Sequence, residues 1–161
     1  MKKKNIVDYL REHNNKETFS VPIWKSKQNK FVYYHVDFVL YEDENANEIE
    51  LLVNDEPYDC YPIKTKDKYY DIEMEIQDAL SDEYGIEIRF CDYCGCPMDR
   101  GFTDDDADFY NCEECFPKDM DERYGKGNWR SCEKENSMCG YYEYLDEDGW
   151  NPEPSYYTEW N

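Results

Sequence analysis

Between Cys91 and Cys115 the chain reads CDYCGCPMDRGFTDDDADFYNCEEC, and this stretch limits what the protein can fold into more than any other. Cys91-x2-Cys94 and Cys112-x2-Cys115 are two thiol pairs separated by 17 residues, enough for a hairpin. A C-x2-C turn sets two sulfurs on one tight bend, each able to bind the same metal at about 2.3 Å. Two such bends brought together make a closed tetrahedral site of four sulfurs, with ligands Cys91, Cys94, Cys112 and Cys115. A closed four-sulfur site is structural, because catalytic zinc keeps one position open for water. Zinc is the expected ion, and a rubredoxin-like iron site stays open because four sulfurs do not by themselves choose between the two. Gly95, directly after the first pair, suits a knuckle in which one residue takes a positive φ.

The eight cysteines raise the question of disulfides. The start, MKKKNIVDYLREHNN, is basic but lacks the apolar stretch of a secretory signal, so a reducing cytoplasm and metal thiolates are expected. No apolar run is long enough to span a membrane. Cys96 competes with Cys94 through Cys94-Gly-Cys96, but C-x2-C is the better chelating spacing, and Cys96 reads as a free or packing thiol. Cys60, Cys132 and Cys139 read as buried thiols, since Cys132-x6-Cys139 is not a chelating turn.

Periodicity outside the cysteines predicts an α+β fold: a small antiparallel sheet with flanking helices, plus a treble-clef or zinc-ribbon-like module. Ile6, Val7 and Leu10 share one helical face over 5–15. Residues 18–24 alternate as a strand, with Pro22 placing it at an edge. Phe31–Glu42 is β-branched, aromatic and free of Gly and Pro, and Glu48–Val53 follows as a third strand ended by Asn54–Pro57. Tyr69, Ile72, Ile76 and Leu80 make an amphipathic helix over 68–84, stopped by Gly85. Ile86–Phe90 then delivers the chain into Cys91 as a strand. Within the module, Gly101-Phe102 and Phe109-Tyr110 form hairpin arms, and Pro117 opens a helix running to Tyr124. The division is therefore a small α+β domain at 1–90, the four-cysteine module at 91–127, and an aromatic-rich acidic segment at 128–161. That last segment shows no clear period and reads as an irregular wrap over the domain.

Charge restricts function. There are 39 Asp and Glu against 18 Lys and Arg, for a net charge of -21. Residues 1–30 carry 8 basic and 3 acidic side chains, so the excess of acid lies wholly beyond them. Such a surface attracts basic partners in a salt-dependent way and disfavours direct nucleic-acid binding, whose affinity rests on neutralised phosphates. The exception is the patch of Lys2, Lys3, Lys4, Arg11, Lys16, Lys25, Lys27 and Lys30. An enzyme is not expected: His13 and His35 stand in no triad pattern, and no phosphate-cradling Gly loop is present. Asp104, Asp106 and Asp108 begin like a calcium loop, but Phe109 stands where its Gly belongs and Cys115 where its bidentate Glu belongs. Asp146-Glu-Asp148-Gly149 fails similarly.

The segment CDYCGCPMDRGFTDDDADFYNCEECF, with the ending SYYTEWN, resembles a group of small zinc-module proteins of bacteriophages and bacterial mobile elements. In that group a CxxCGxxMxxGF start and a YxCxECF second half recur, often with a similar Thr-Glu-Trp ending. The match covers the module and the last residues, not 1–90, and Cys96 is this chain's own departure. The resemblance implies a host bacterial cytoplasm and raises host-directed inhibitors, including anti-restriction and anti-CRISPR proteins that mimic DNA. The expected partner is a basic host protein such as a nuclease or DNA-binding protein. The alternative is a zinc-module regulator that binds nucleic acid through the basic N-terminal patch.

Overall fold

A computed structural model describes residues 3–104, 109–133 and 139–161, with the side chains of 131–142 and 152–156 outside the description. The architecture is α+β, with antiparallel sheets and three α-helices among the described residues. Helix α1 (Ile6–Glu12) has only seven residues, too few to hold itself in water. It is kept by burial: Ile6, Val7 and Leu10 are all fully enclosed, each contributing about 1.5–3 kcal/mol. Asn5 caps it, its side chain accepting from the Asp8 amide.

Four strands follow as a meander: β1 (Lys16–Lys25), β2 (Lys30–Glu42), β3 (Asn47–Val53) and β4 (Glu56–Pro62), in that spatial order. Strand β1 is an edge, as Pro22 required, with Pro22 opposite Tyr33. Strand β4 was not foreseen, because Asn54–Pro57 reads as a terminator. Asn54 and Asp55 both take positive φ (52° and 65°) and join Val53 to its partner Glu56 in a two-residue hairpin. Pro57 is tolerated because β4 is the other edge.

Helix α2 (Tyr69–Tyr84) buries Ile72, Ile76 and Leu80 in one core with Phe38, Ile49 and Leu51 of the sheet. Gly85, left-handed at φ 66°, closes it while the amides of Gly85 and Ile86 return to Ser81 and Leu80. Glu73 also faces inward: it is 1% exposed and accepts the Ile6 amide at 3.2 Å, tying α2 to the positive end of α1.

Between Gly85 and Cys91 only Arg89–Phe90 is regular (β5), pairing with Pro97–Met98 (β6); the strand expected from Ile86 is shorter than its alternation suggested. Strand β7 (Arg100–Asp104) pairs with β8 (Tyr110–Asn111), and α3 (Cys115–Tyr124) follows. The segment after 128 is not irregular: β9 (Trp129–Glu133), β10 (Cys139–Asp146) and β11 (Gly149–Glu159) join β7 and β8 in a second sheet ordered β8-β7-β11-β10-β9. Tyr and Trp favour strands whatever the period, and Asp146↔Gly149 brackets the β10–β11 turn. Among the described residues no helix is long and apolar enough to cross a membrane.

Candidate metal centre

Three backbone elements converge on the thiols. The first knuckle, Cys91–Cys96, folds on itself: the Gly95 amide donates to the Cys91 carbonyl at 2.8 Å and the Cys91 amide to the Cys96 carbonyl at 2.9 Å. Gly95 has φ 84°, and a β-carbon there would stand 2.0 Å from the Asn5 carbonyl oxygen. Glycine is therefore required twice, by the turn and by the α1 cap that presses on it. The second knuckle opens α3, with the amides of Cys115 and Phe116 donating to the Cys112 carbonyl at 3.1 and 3.0 Å. The two knuckles are cross-tied: the Asp92 amide donates to the Tyr110 carbonyl at 2.7 Å, and the Tyr110 amide to the Asp92 carboxylate at 2.8 Å.

The result is a knot of sulfur. The Sγ atoms of Cys91, Cys94, Cys96 and Cys112 all lie within 4.8 Å of one another, and none of these residues is in a disulfide. Cys94 and Cys112 are 4.0 Å apart, close to the ~3.8 Å edge of a tetrahedron with 2.3 Å metal–sulfur bonds. The Cys112 amide points at the Cys91 sulfur from 3.4 Å, a contact that stabilises a thiolate. These observations fit a metal ion.

Three of the four expected ligands, Cys91, Cys94 and Cys112, thus stand together. The fourth place in the tight group is held by Cys96, not Cys115. Cys115 is buried against the same cluster, so five thiols meet here. Sequence spacing missed Cys96 because the C-x2-C rule counts residues along a turn. Here the knuckle bends the chain back so that the residue after Gly95 also faces inward.

The electrostatics follow from crowding. Thiol hydrogen bonds from Cys112, Cys94 and Cys96 hold the Cys91 thiol far below its usual range. Cys112 is raised by Cys91 but lowered further by Cys94 and Cys96, settling at about 7. Contacts with Cys112 and Cys91 push Cys94 and Cys96 up, and burial pushes Cys115 up to about 12. The crowding therefore favours ionisation at Cys91 first, where neighbouring S–H groups can donate to the thiolate; a cation at the centre would let the others ionise.

Cys94, Cys96 and Cys112 border a cleft of about 480 Å³ whose far wall is Tyr9, His13 and Phe19. His13 stacks on Tyr9 at 3.9 Å and its Nδ1 meets the Tyr9 carbonyl at 2.8 Å; it is not among the residues of the tight sulfur group. His35 is exposed, its Nδ1 2.9 Å from Ser20 Oγ. Cys60, expected to be buried, is exposed on β4, where partial desolvation and the nearby carboxylates of Glu48, Glu50 and Asp59 raise its pKa. It alternates with Tyr61, the β4 residue that turns into the core shared with α2, and so faces the other side of the sheet. The side chains of Cys132 and Cys139, and residues Asp106 and Asp108 of the calcium-like pattern, lie outside the described part.

Comparison with protein-family models, curated proteins and solved structures gave no match.

Proposed function

We propose that the chain is a non-enzymatic binding protein, built on a treble-clef or zinc-ribbon-like module that holds structural zinc, and that it docks an acidic helical face on a basic host protein. The observation that carries this reading is the solvent face of α2. Asp71, Glu75, Asp78 and Asp82 are exposed at i, i+4, i+7 and i+11, one stripe along the helix. At 1.5 Å per residue the stripe runs about 16 Å, a row of carboxylates on a rigid rod. Beside it Tyr70 is 60% and Met74 39% exposed, the aromatic and flexible apolar residues that anchor interfaces. Asp71 shares Lys68 at 3.6 Å, a fully solvated pair that costs little to give up.

A row of carboxylates on a rigid element suits a protein evolved to hold phosphates, which supports an inhibitor of a nuclease or DNA-binding protein, of the anti-restriction or anti-CRISPR kind. The resemblance of the cysteine module to bacteriophage and mobile-element proteins points the same way, with the bacterial cytoplasm as the place of action. The alternative, a regulator that binds nucleic acid through the basic N-terminal patch, has less support at the helical part of that patch, where Lys3, Lys4 and Arg11 are engaged by Glu122, Glu12 and Glu42 respectively; Lys27 and Lys30 of the same patch are exposed.

The test is capture from bacterial lysate at low and high salt, with duplex DNA as competitor. A basic protein held at low salt, released by DNA, and lost with Asp71→Asn/Glu75→Gln/Asp78→Asn/Asp82→Asn supports the reading. Capture indifferent to that variant, or to DNA, overturns it.

A further inference from the structure

The sign of the surface reverses at the β1–β2 hairpin. No Asp or Glu occurs between Glu17 and Asp37, although the chain holds 39 of them in 161 residues. That stretch contains Lys25, Lys27 and Lys30, all around the turn that joins the two strands. Lys27 and Lys30 are exposed, and none of the three has a carboxylate partner among the described residues, whereas Lys3, Lys4 and Arg11 all do. Lys25 is half-buried and lies over the Tyr34 ring at 5.7 Å, so the charges left open in this acidic protein are Lys27 and Lys30.

The same end of the sheet carries its most exposed aromatics. Trp24 is 49%, Phe31 54% and Tyr33 61% exposed. Strand alternation puts them on one face: Trp24 is directly opposite Phe31, with rings 5.1 Å apart, and Tyr33 follows two residues on. Successive same-face residues on a strand are about 6.6 Å apart, within reach of neighbouring unstacked bases. Helices α1 and α2 pack on the other face, through Val21, Val36 and Phe38, so this one stays open. Phe31 and Tyr33 run on into a cleft of about 200 Å³ whose far side holds Asp99, Arg100 and Glu159, with Arg100 paired to Asp99 at 3.5 Å and to Glu159 at 3.1 Å, so the open cations are those of the turn.

From this juxtaposition we infer that the β1–β2 hairpin is a docking surface for single-stranded nucleic acid, with Trp24, Phe31 and Tyr33 stacking on bases and Lys27 and Lys30 of the exposed turn meeting phosphates. Open aromatic sheet faces rimmed by cations bind single strands without needing a base code, because every base has a flat face. A duplex hides its bases and brings twice the charge per length towards a chain of net -21, so it is the poorer ligand. The surface is separate from the α2 stripe and stands or falls without it.

The experiment is fluorescence anisotropy of a labelled oligo-dT, and of the same length of duplex, titrated with the full chain. Two phosphate contacts on a single strand give a salt slope of about 1.4, hence roughly sevenfold weaker binding at 200 mM than at 50 mM salt. Trp24→Ala/Phe31→Ala should weaken binding by at least about tenfold, since stacking contributes about 1–3 kcal/mol per base. Lys27→Glu/Lys30→Glu should abolish it, while Lys64→Glu/Lys66→Glu, with the same change in charge at exposed lysines elsewhere, should retain most of it. The Lys27 and Lys30 changes lie on the exposed turn and leave the core untouched. No binding at 50 mM salt, equal loss in the control variant, or preference for duplex overturns the inference. So does concentration-dependent self-association that Lys27→Glu/Lys30→Glu removes, which would make the occupant a second copy of the chain.

Discussion

The Asn5 carbonyl oxygen occupies the place where a β-carbon on Gly95 would stand, 2.0 Å away. The cap of α1 and the first cysteine knuckle are thus in backbone contact, and Lys3 extends the contact by donating its amide to the Asp92 carbonyl at 2.8 Å. Folding of the first layer and assembly of the metal centre are coupled at this point.

Gly95→Ala should therefore do more than strain one turn. The positive φ alone costs about 1–2 kcal/mol for a non-glycine residue, and displacing the Asn5 backbone adds to it. A total loss of about 3 kcal/mol or more is expected, read as a fall in the urea midpoint together with reduced metal content. A variant of unchanged stability would mean that the knuckle and α1 are not in contact. Gly127, also at positive φ but with nothing within 4 Å, is the comparison: Gly127→Ala should show the backbone term alone.

Five thiols for four positions make a second prediction. Cys91 and Cys112 belong both to the group predicted by spacing and to the one observed, so Cys91→Ser or Cys112→Ser should lose the ion and most of the structure around it. Cys96→Ser and Cys115→Ser should each keep one metal ion per chain, with the remaining sulfur as fourth ligand, and the double variant should lose it. Elemental analysis of purified protein decides; loss in one single variant and not the other would show a unique fourth ligand. In every variant that keeps the ion, acidification should release it, because the ligands bind as thiolates and protons compete for them.

How far the residues announced this arrangement varies with the kind of signal. Ile6, Val7 and Leu10, the alternation of β1 to β3, and the Ile72–Ile76–Leu80 stripe were legible because each element buries one face at its own period. Strand β4 was hidden by two prolines, and β9 to β11 by aromatics on both faces of a sheet that form no simple alternation. The centre itself was legible through Cys91, Cys94 and Cys112. Cys96 was not, since its place depends on Gly95 turning the chain through φ 84°. Glu73 was hidden for a different reason: a carboxylate on an acidic helix reads as solvated, whereas here it accepts from the Ile6 amide, 67 residues away, inside the core.

Removing that carboxylate should be costly. Glu73→Ala leaves the Ile6 amide without its acceptor inside a closed core and opens a cavity, for an expected loss of about 2–4 kcal/mol. Glu73→Gln keeps an acceptor in the same place and should lose less than half of that. Urea denaturation of the two variants distinguishes a specific acceptor from a tolerated burial: equal losses would show that the amide is not the partner that matters.

The last prediction concerns Asn111, which precedes Cys112 and is fully buried. Its Nδ2 donates at 2.9 Å to Asp119 on α3, whose carboxylate also meets Arg123 at 3.2 Å. The contact fixes β8 against α3, and so fixes the spacing of Cys112 and Cys115 on either side of the helix start. Asn111→Asp changes almost no volume but sets a second carboxylate against Asp119 where water cannot screen it. One of the pair must take up a proton or the helix must move, at a cost of about 3 kcal/mol near neutral pH. Because the penalty arises from two like charges, it should shrink as the pH falls and one carboxyl protonates, the opposite of the wild-type trend in metal retention. Thermal melts of the two proteins between pH 5 and 8 would show the gap narrowing towards acid; a gap independent of pH would mean that Asn111 acts by shape alone.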